Sequence, residues 1–226
     1  MDWNLIPIAS YVFFGLFVLA SIVHLVFCYF EMERCRMATK CLTTLFLSIA
    51  ATIALPGQPL VYLGCFLGCL GDAFLLKKHK VWPFVSGMVS FLAGHILYII
   101  AMMRLCEPLH WGYYVATVLW IILFPIFGVH ISKRIVHQKK LIFGGTMYFA
   151  FLFLDLIWSI ILCSKGMVNF GLLCIFGSFC FIGSDMFLTW TMFKRDVKRR
   201  DFYIMASYLL AQGLLVTGLV LTYLIR

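Results

Sequence analysis

The sequence predicts an all-α membrane protein in which residues 1–226 form a single domain, a polytopic bundle of eight transmembrane helices. Hydrophobic residues make up 64% of the chain and charged residues 12%, whereas soluble domains are about 45–50% apolar and about 25% charged. The apolar residues form long runs, and most of the basic residues lie between them. This composition leaves no room for a sizeable soluble domain.

Eight apolar runs have the length or the boundaries of membrane helices. The first, 5–29, lacks a basic leader and exceeds the apolar core of a signal peptide, so we expect a retained span. The second and third, 40–55 and 60–76, are separated by a Pro-Gly-Gln-Pro turn. The others cover 81–103, 111–131, 141–163, 167–193 and 202–225. An alternative has seven spans, with the second and third runs forming one broken re-entrant unit.

Basic residues concentrate in alternate linkers. Only Arg104, Lys165 and Arg226 among the 18 lysines and arginines lie on the opposite side. The others follow helices one, three, five and seven: Arg34, Arg36, Lys40; Lys77, Lys78, Lys80; Lys133, Arg134, Lys139, Lys140; Lys194, Arg195, Lys198, Arg199, Arg200. By the positive-inside rule, these four linkers are cytoplasmic and both termini are non-cytoplasmic. This arrangement explains the net charge of +9 and argues against nucleic-acid binding.

The nine cysteines lie mostly inside apolar runs, where free thiols pack as small apolar groups. The chain has no CxxC pair, and Cys65 and Cys69 share one helix face. No Cys/His cluster has the spacing of metal ligands. Motifs of soluble enzymes, such as GxSxG, HExxH and the P-loop, are missing as well. The sequence therefore predicts no metal and no cofactor.

Three aspartates, Asp72, Asp155 and Asp185, lie inside predicted spans. A charged carboxylate at bilayer depth costs at least about 2.5–3.5 kcal/mol, so each is expected to face the bundle interior, to pair or to stay protonated. Burial raises the pKa of a carboxylic acid in general and equips it to donate a proton near neutral pH. Two neighbouring carboxyl groups can also share one proton. The aspartates are therefore candidates for acid–base chemistry.

Helix rise places several polar residues at a common level. At about 1.5 Å per residue, Asp72 lies about 7 Å and Asp185 about 13 Å from the nearest lysines on the cytoplasmic side. Tyr208 and Gln212, one turn apart on the last helix, lie at a similar depth, as does His24 on the first. These groups are expected to converge.

Three polar residues lie deeper, and other interpretations stay open. His95 and Asp155 are about 22 Å from their linkers, and Tyr98 is deeper still. Either the fourth helix begins later than residue 81, or the polar groups line a tall cavity. Structural roles are the alternatives: a salt bridge for Asp72, acceptance of hydrogen bonds from a neighbouring helix for Asp155, and interfacial packing for His24.

Five motifs in order resemble the YhhN family, whose characterised members are lysoplasmalogenases, including animal transmembrane enzymes. The motifs are TKCL (39–42), GDAFLL (71–76), GHILYIIAM (94–102), GSFCFIGSDMFL (177–188) and YIMASYLLAQGLL (203–215). The resemblance implies hydrolysis of the vinyl ether bond of lysoplasmenylethanolamine or lysoplasmenylcholine, giving a fatty aldehyde and the glycerophospho-ethanolamine or -choline. It also implies a site made of Lys40, Asp72, His95, Tyr98, Asp185, Tyr208 and Gln212. Asp155 and His24 match no motif.

Vinyl ether hydrolysis assigns roles to these residues. Protonation of the alkene carbon needs an acid, for which we predict Asp185, and the resulting cation needs an anion, for which we predict Asp72; the reverse assignment stays open. Tyr208, Gln212 and His95 would position water and the ether oxygen. Lys40 would attract the phosphate of the lysophospholipid. The partners implied are this lipid and the bilayer, with the endoplasmic reticulum membrane as the favoured location.

Two other classes of function remain as alternatives. A small proton-coupled transporter or a lipid-binding membrane protein could also use buried acids. Transporters commonly contain inverted repeats and broken helices, but the chain has no convincing repeat and only one Pro/Gly break, between the second and third runs. A family member without activity is the third possibility. Release of aldehyde from lysoplasmalogen separates the three.

Overall fold

The computed structural model describes residues 6–76, 81–132, 139–193 and 197–226. Across these ranges the chain is all-helical, as predicted. The helices are α1 (Ile8–Tyr29), α2 (Glu33–Ala54), α3 (Pro59–Leu75), α4 (Val81–Leu105), α5 (Trp111–Ser132), α6 (Lys139–Ser164), α7 (Val168–Phe193) and α8 (Arg200–Ile225).

Seven of the eight described helices are long and apolar enough to cross a membrane. The exception is α3, which has 17 residues and is about 26 Å long, slightly less than the hydrocarbon core of about 30 Å. The chain is therefore an integral membrane protein built of apolar helices. Whether α3 completes an eighth span, and which way the termini point, remain predictions.

The start of α2 differs from the sequence-based prediction. The helix begins at Glu33 rather than at residue 40, so Arg34, Arg36 and Lys40 lie on its first turns and not in a linker. Arginine, lysine, methionine and alanine are good helix formers, and a glutamate in the first turn suits the helix dipole. Charge marks where an apolar run stops, but it does not end a helix.

Other basic residues of the predicted linkers are also distributed differently. Lys139 begins α6 and Arg200 begins α8. Seven of them lie outside the described residues: Lys77, Lys78, Lys80, Lys133, Arg134, Lys194 and Arg195.

The helices form a closed ring. Contacts run from α1 to α2, α3, α4, α6, α7 and α8 in turn, and α8 returns to α1; α8 also packs against α2, α3 and α4. In contrast, α5 packs only on α6 among the described helices and exposes Val118, Ile122 and Ile126, as expected of a face covered by lipid. Because α8 touches most of the ring, polar groups on it can meet partners from several helices.

Helices α3 and α4 approach each other through two glycines. A Cβ atom at Gly94 would lie 2.8 Å from the carbonyl oxygen of Gly64, and one at Gly64 would lie 2.6 Å from the ring of Tyr98. Real side chains do not tolerate such distances, so larger residues would push the helices apart. The close approach seats Tyr98 against α3 and brings α4 within reach of the polar groups described next.

Candidate functional site

Asp72 on α3 is the centre of a buried polar cluster. The carboxyl group is almost fully buried. Its Oδ2 accepts hydrogen bonds from the hydroxyl of Tyr208 on α8 at 2.8 Å and from that of Thr44 on α2 at 3.1 Å. Its Oδ1 lies 3.4 Å from the Nζ atom of Lys40. Three helices therefore meet at one carboxylate. Of the groups predicted to converge, Tyr208 bonds Asp72 directly, whereas Asp185 and His24 have other partners.

The local sequence explains this convergence. Lys40 and Thr44 are one turn apart on α2, and Tyr208 and Gln212 are one turn apart on α8, so each pair shares a helix face. Gly68, one turn before Asp72, keeps α3 thin: a Cβ atom there would lie 3.1 Å from Nε2 of Gln212 and 3.7 Å from the Tyr208 hydroxyl.

A further hydrogen bond joins α4 to α8. The hydroxyl of Tyr98 donates to Oε1 of Gln212 at 3.3 Å, and both side chains are almost fully buried. Lys40, Thr44, Asp72 and Tyr208 form one bonded set. The Tyr98–Gln212 pair lies one turn along α8 from Tyr208 and is bonded separately.

The neighbours of Asp72 favour its ionised form, whereas its burial favours the neutral acid. Hydroxyl donors and a nearby cation stabilise a carboxylate relative to the neutral acid. The Lys40 and Asp72 side chains are only 17% and 2% exposed, so water and salt screen their attraction little. Asp72 therefore has a salt-bridge partner in Lys40 of α2, while the lysines that follow it in the sequence lie outside the described residues. This salt bridge does not exclude a catalytic role, because the same lysine can bind a phosphate.

Asp185 is a separate centre on α7. Its side chain is half-buried, and its Oδ2 accepts a hydrogen bond from the hydroxyl of Tyr148 on α6. Asp185 and Asp72 are not hydrogen-bonded to each other; each is bonded to a tyrosine of another helix. The charges of Lys40 and Asp72 act on Asp185 through space. The two carboxyl groups therefore influence one another without contact.

Aromatic rings connect the two centres. The rings of Phe91 on α4, Phe181 on α7 and Tyr208 on α8 pack edge-to-face, with centroids 5.5–6.2 Å apart. Asp185 follows Phe181 by one turn and therefore shares its helix face. Asp185 therefore lies one turn along α7 from Phe181, whose ring packs against Tyr208, the donor to Asp72.

His95 and Asp155 form a deeper cluster of their own. Nδ1 of His95 lies 3.7 Å from Oδ2 of Asp155, and the His95 ring packs at 4.3 Å against Phe181. Ser178 on α7 donates to Asp155 at 2.7 Å, so the hydrogen bond expected from a neighbouring helix is confirmed. Because α4 begins at Val81, a late start of this helix does not explain the depth of His95.

His24 lies apart from both clusters. Its Nδ1 is 2.7 Å from the hydroxyl of Thr39, and its Nε2 is 3.4 Å from the thiol of Cys28. The imidazole is fully buried between α1 and α2. Interfacial packing, the structural alternative, describes this histidine.

Three hydroxyl partners of the aspartates were not predicted from the sequence. Thr44 and Tyr148 bond the two candidate catalytic aspartates, and Ser178 bonds Asp155. Each lies inside an apolar run. Thr44 follows Lys40 by one turn, and this spacing could have indicated that both side chains share the face that meets Asp72. Nothing in the sequence marked which carboxyl group each hydroxyl would meet. In the described ranges no group of three or more His, Cys, Asp or Glu side chains could hold a metal ion.

Fold and site together define the class of protein: an integral membrane bundle with carboxyl groups bonded inside it. The sequence profile of the YhhN family matches residues 35–219, and the chain belongs to that family. The match includes every residue of the Asp72, Asp185 and His95 clusters. No curated protein and no solved structure matches the chain significantly.

Proposed function

We propose that the protein is a lysoplasmalogenase, which hydrolyses the vinyl ether bond of lysoplasmenylethanolamine or lysoplasmenylcholine. The observation that carries this proposal is the buried Asp72 carboxylate, held by Lys40, Thr44 and Tyr208 inside the bundle. The chain belongs to a family that includes lysoplasmalogenases. A carboxylate and a second acid inside one bundle suit a reaction that passes through a cation.

The chemistry needs one proton donor and one stabilising anion. A carboxylic acid transfers its proton to the outer alkene carbon, which leaves an oxocarbenium ion at the carbon bonded to oxygen. Water adds to that carbon and loses a proton, and the hemiacetal collapses to a fatty aldehyde and the free glycerol hydroxyl. The carboxylate nearest the cation lowers the barrier electrostatically.

The contacts of the two aspartates support Asp185 as the acid and Asp72 as the anion. Asp72 has two hydroxyl donors and an ammonium group around it, which favour its ionised form. Among the described residues, Tyr148 is the donor to Asp185, through Oδ2, so Oδ1 can carry the proton. Asp72 would then stabilise the oxocarbenium ion and accept the proton released by water.

The basic end of the bundle orients the substrate. Lys40 reaches from the first turns of α2 to Asp72 and keeps 17% of its side chain exposed, so it can pair with the lipid phosphate. The alkenyl chain would then extend along the phenylalanine-rich interior. We propose further that the chain crosses the membrane eight times, with its basic segments in the cytoplasm and both termini on the opposite side. The membrane proposed is that of the endoplasmic reticulum.

The decisive experiment uses the purified full-length protein in detergent, supplied with lysoplasmenylethanolamine and followed for aldehyde. We expect release by wild type, loss of at least about 100-fold for Asp72→Asn or Asp185→Asn, and normal release by Glu33→Gln, whose carboxylate is exposed at the start of α2. The alkyl-ether analogue, which has no double bond to protonate, is the substrate control and should stay intact.

The same preparation separates the other classes of function. In vesicles, substrate-dependent proton flux without aldehyde would identify a transporter, and saturable lipid binding without either would identify a binding protein. Full turnover by a folded Asp185→Asn protein would remove Asp185 from the mechanism.

A further inference from the structure

Three buried side-chain atoms in the deeper cluster lack hydrogen-bond partners among the described residues. Both ring nitrogens of His95 and Oδ1 of Asp155 are buried and unpaired among the described residues, and the residues are 2% and 0% exposed. Buried polar atoms are nearly always bonded to protein or to ordered water, because leaving them unpaired costs free energy. These atoms therefore indicate a bound polar molecule.

The distances between these polar atoms fit a molecule of the size of water. Nδ1 of His95 and Oδ2 of Asp155 are 3.7 Å apart, which is too long for a direct hydrogen bond and which a water bonded to both atoms can bridge. Oδ2 already accepts from Ser178, and Ser178 is 3.1 Å from the hydroxyl of Ser159. A buried polar site with several such partners is suited to water.

We propose that His95 and Asp155 hold a buried water molecule, with the His95 proton on Nδ1 towards Asp155 and Nε2 left as an acceptor. A carboxylate beside one nitrogen of a neutral imidazole selects the tautomer that donates to it. Asp155, which no family-like motif includes, is thereby a positioning residue that acts through His95. The water site itself does not depend on the proposed function. Only the role of the water, which is to add to the oxocarbenium ion, rests on that function.

Nuclear magnetic resonance tests the site without any turnover. The sample is the full-length protein in micelles, labelled with ¹⁵N at its six histidines. The His95 signals are the ones that disappear in the His95→Gln variant. We expect a neutral ring protonated at Nδ1 in the wild type, with magnetisation transfer from water to its C–H protons. Asp155→Asn should give a mixture of tautomers. Ser178→Ala, which keeps both partners, should retain the wild-type tautomer, and the His24 signals serve as an internal control.

Activity provides the second readout. We expect Asp155→Asn to lower kcat by about 10-fold to 100-fold, as for carboxylates that orient a catalytic or ligating histidine, with KM within about twofold of wild type. A proton on Nε2 in the wild type, or no contact between His95 and water, overturns the proposal even if aldehyde is released. If the wild type shows Nδ1 protonation and water contact but releases no aldehyde, the water site is supported and the proposed function is refuted.

Discussion

Tyr208 and Asp72 are separated by 136 positions in the sequence and are joined by a hydrogen bond of 2.8 Å between the phenol hydroxyl and the carboxylate. The bond connects α3 to α8 at the point where Lys40 and Thr44 of α2 also reach the carboxylate. One phenol therefore contributes both to the ring closure of the bundle and to the electrostatics of the candidate site.

Removing this hydroxyl is expected to impair turnover more than folding. Tyr208→Phe keeps the ring contacts with Phe91 and Phe181 but deletes a donor to Asp72, so we expect aldehyde release to fall about 10-fold to 100-fold and the free energy of unfolding to fall by about 1–3 kcal/mol. Tyr203→Phe is the matched control, since Tyr203 is exposed on the same helix. Equal activity of the two variants would contradict the prediction.

The Lys40–Asp72 ion pair can be tested by a double-mutant cycle. Lys40→Met leaves a buried carboxylate without its cation and should cost about 3–5 kcal/mol of stability. Adding Asp72→Asn removes the charge, so the double variant should unfold at a higher temperature than Lys40→Met alone, while both remain inactive. Thermal unfolding in detergent measures the coupling. Strictly additive losses would mean that the pair does not interact.

The hydroxyl that bonds Asp185 has a smaller expected effect than the carboxyl group. Tyr148→Phe removes the donor to Oδ2 but leaves the acid in place, so we expect aldehyde release between that of wild type and that of Asp185→Asn. Tyr11→Phe, a change at an exposed position of α1, should behave as wild type. A Tyr148→Phe protein as inactive as Asp185→Asn would assign the tyrosine itself a role in proton transfer.

Stability should be sensitive to the glycine contact between α3 and α4. A methyl group at Gly94 meets the backbone oxygen of Gly64, which cannot turn aside, so Gly94→Ala is expected to lower the free energy of unfolding by about 1–3 kcal/mol. At Gly145 on α6 a Cβ atom meets nothing within 4 Å. Gly145→Ala should be neutral or stabilising by up to about 1 kcal/mol, because alanine favours helix. Thermal unfolding of the two variants measures the difference.

The number of spans has a simple parity test. Eight spans place both termini on the same side of the membrane, and seven place them on opposite sides. We expect reporters active only in the cytosol to be silent at either end of the chain. Activity at one end alone would indicate that α3, with 17 residues, does not cross.

The sequence predicted the helices well because membrane spans are defined by composition and length, which are local properties. Apolar runs marked the approximate extent of every described helix. The largest error is the start of α2, where the charged stretch from Glu33 to Lys40 continues the helix. Charge reports where water begins, whereas helix formation depends on backbone propensity, and the two boundaries differ by about two turns.

Depth along each helix also predicted that Asp72, Asp185, Tyr208, Gln212 and His24 would converge at one level, because helix rise is constant. Asp185 and His24 nevertheless lie apart from the Asp72 cluster. Sequence alone determined that this chain is an apolar helical bundle with acids inside its spans. Only the tertiary structure decided that Asp72 meets Tyr208, that Asp185 meets Tyr148 and that Asp155 faces His95. Those pairings depend on the rotation of each helix about its axis and on its neighbours in the ring, which are set by close packing between distant segments rather than by any single run of residues.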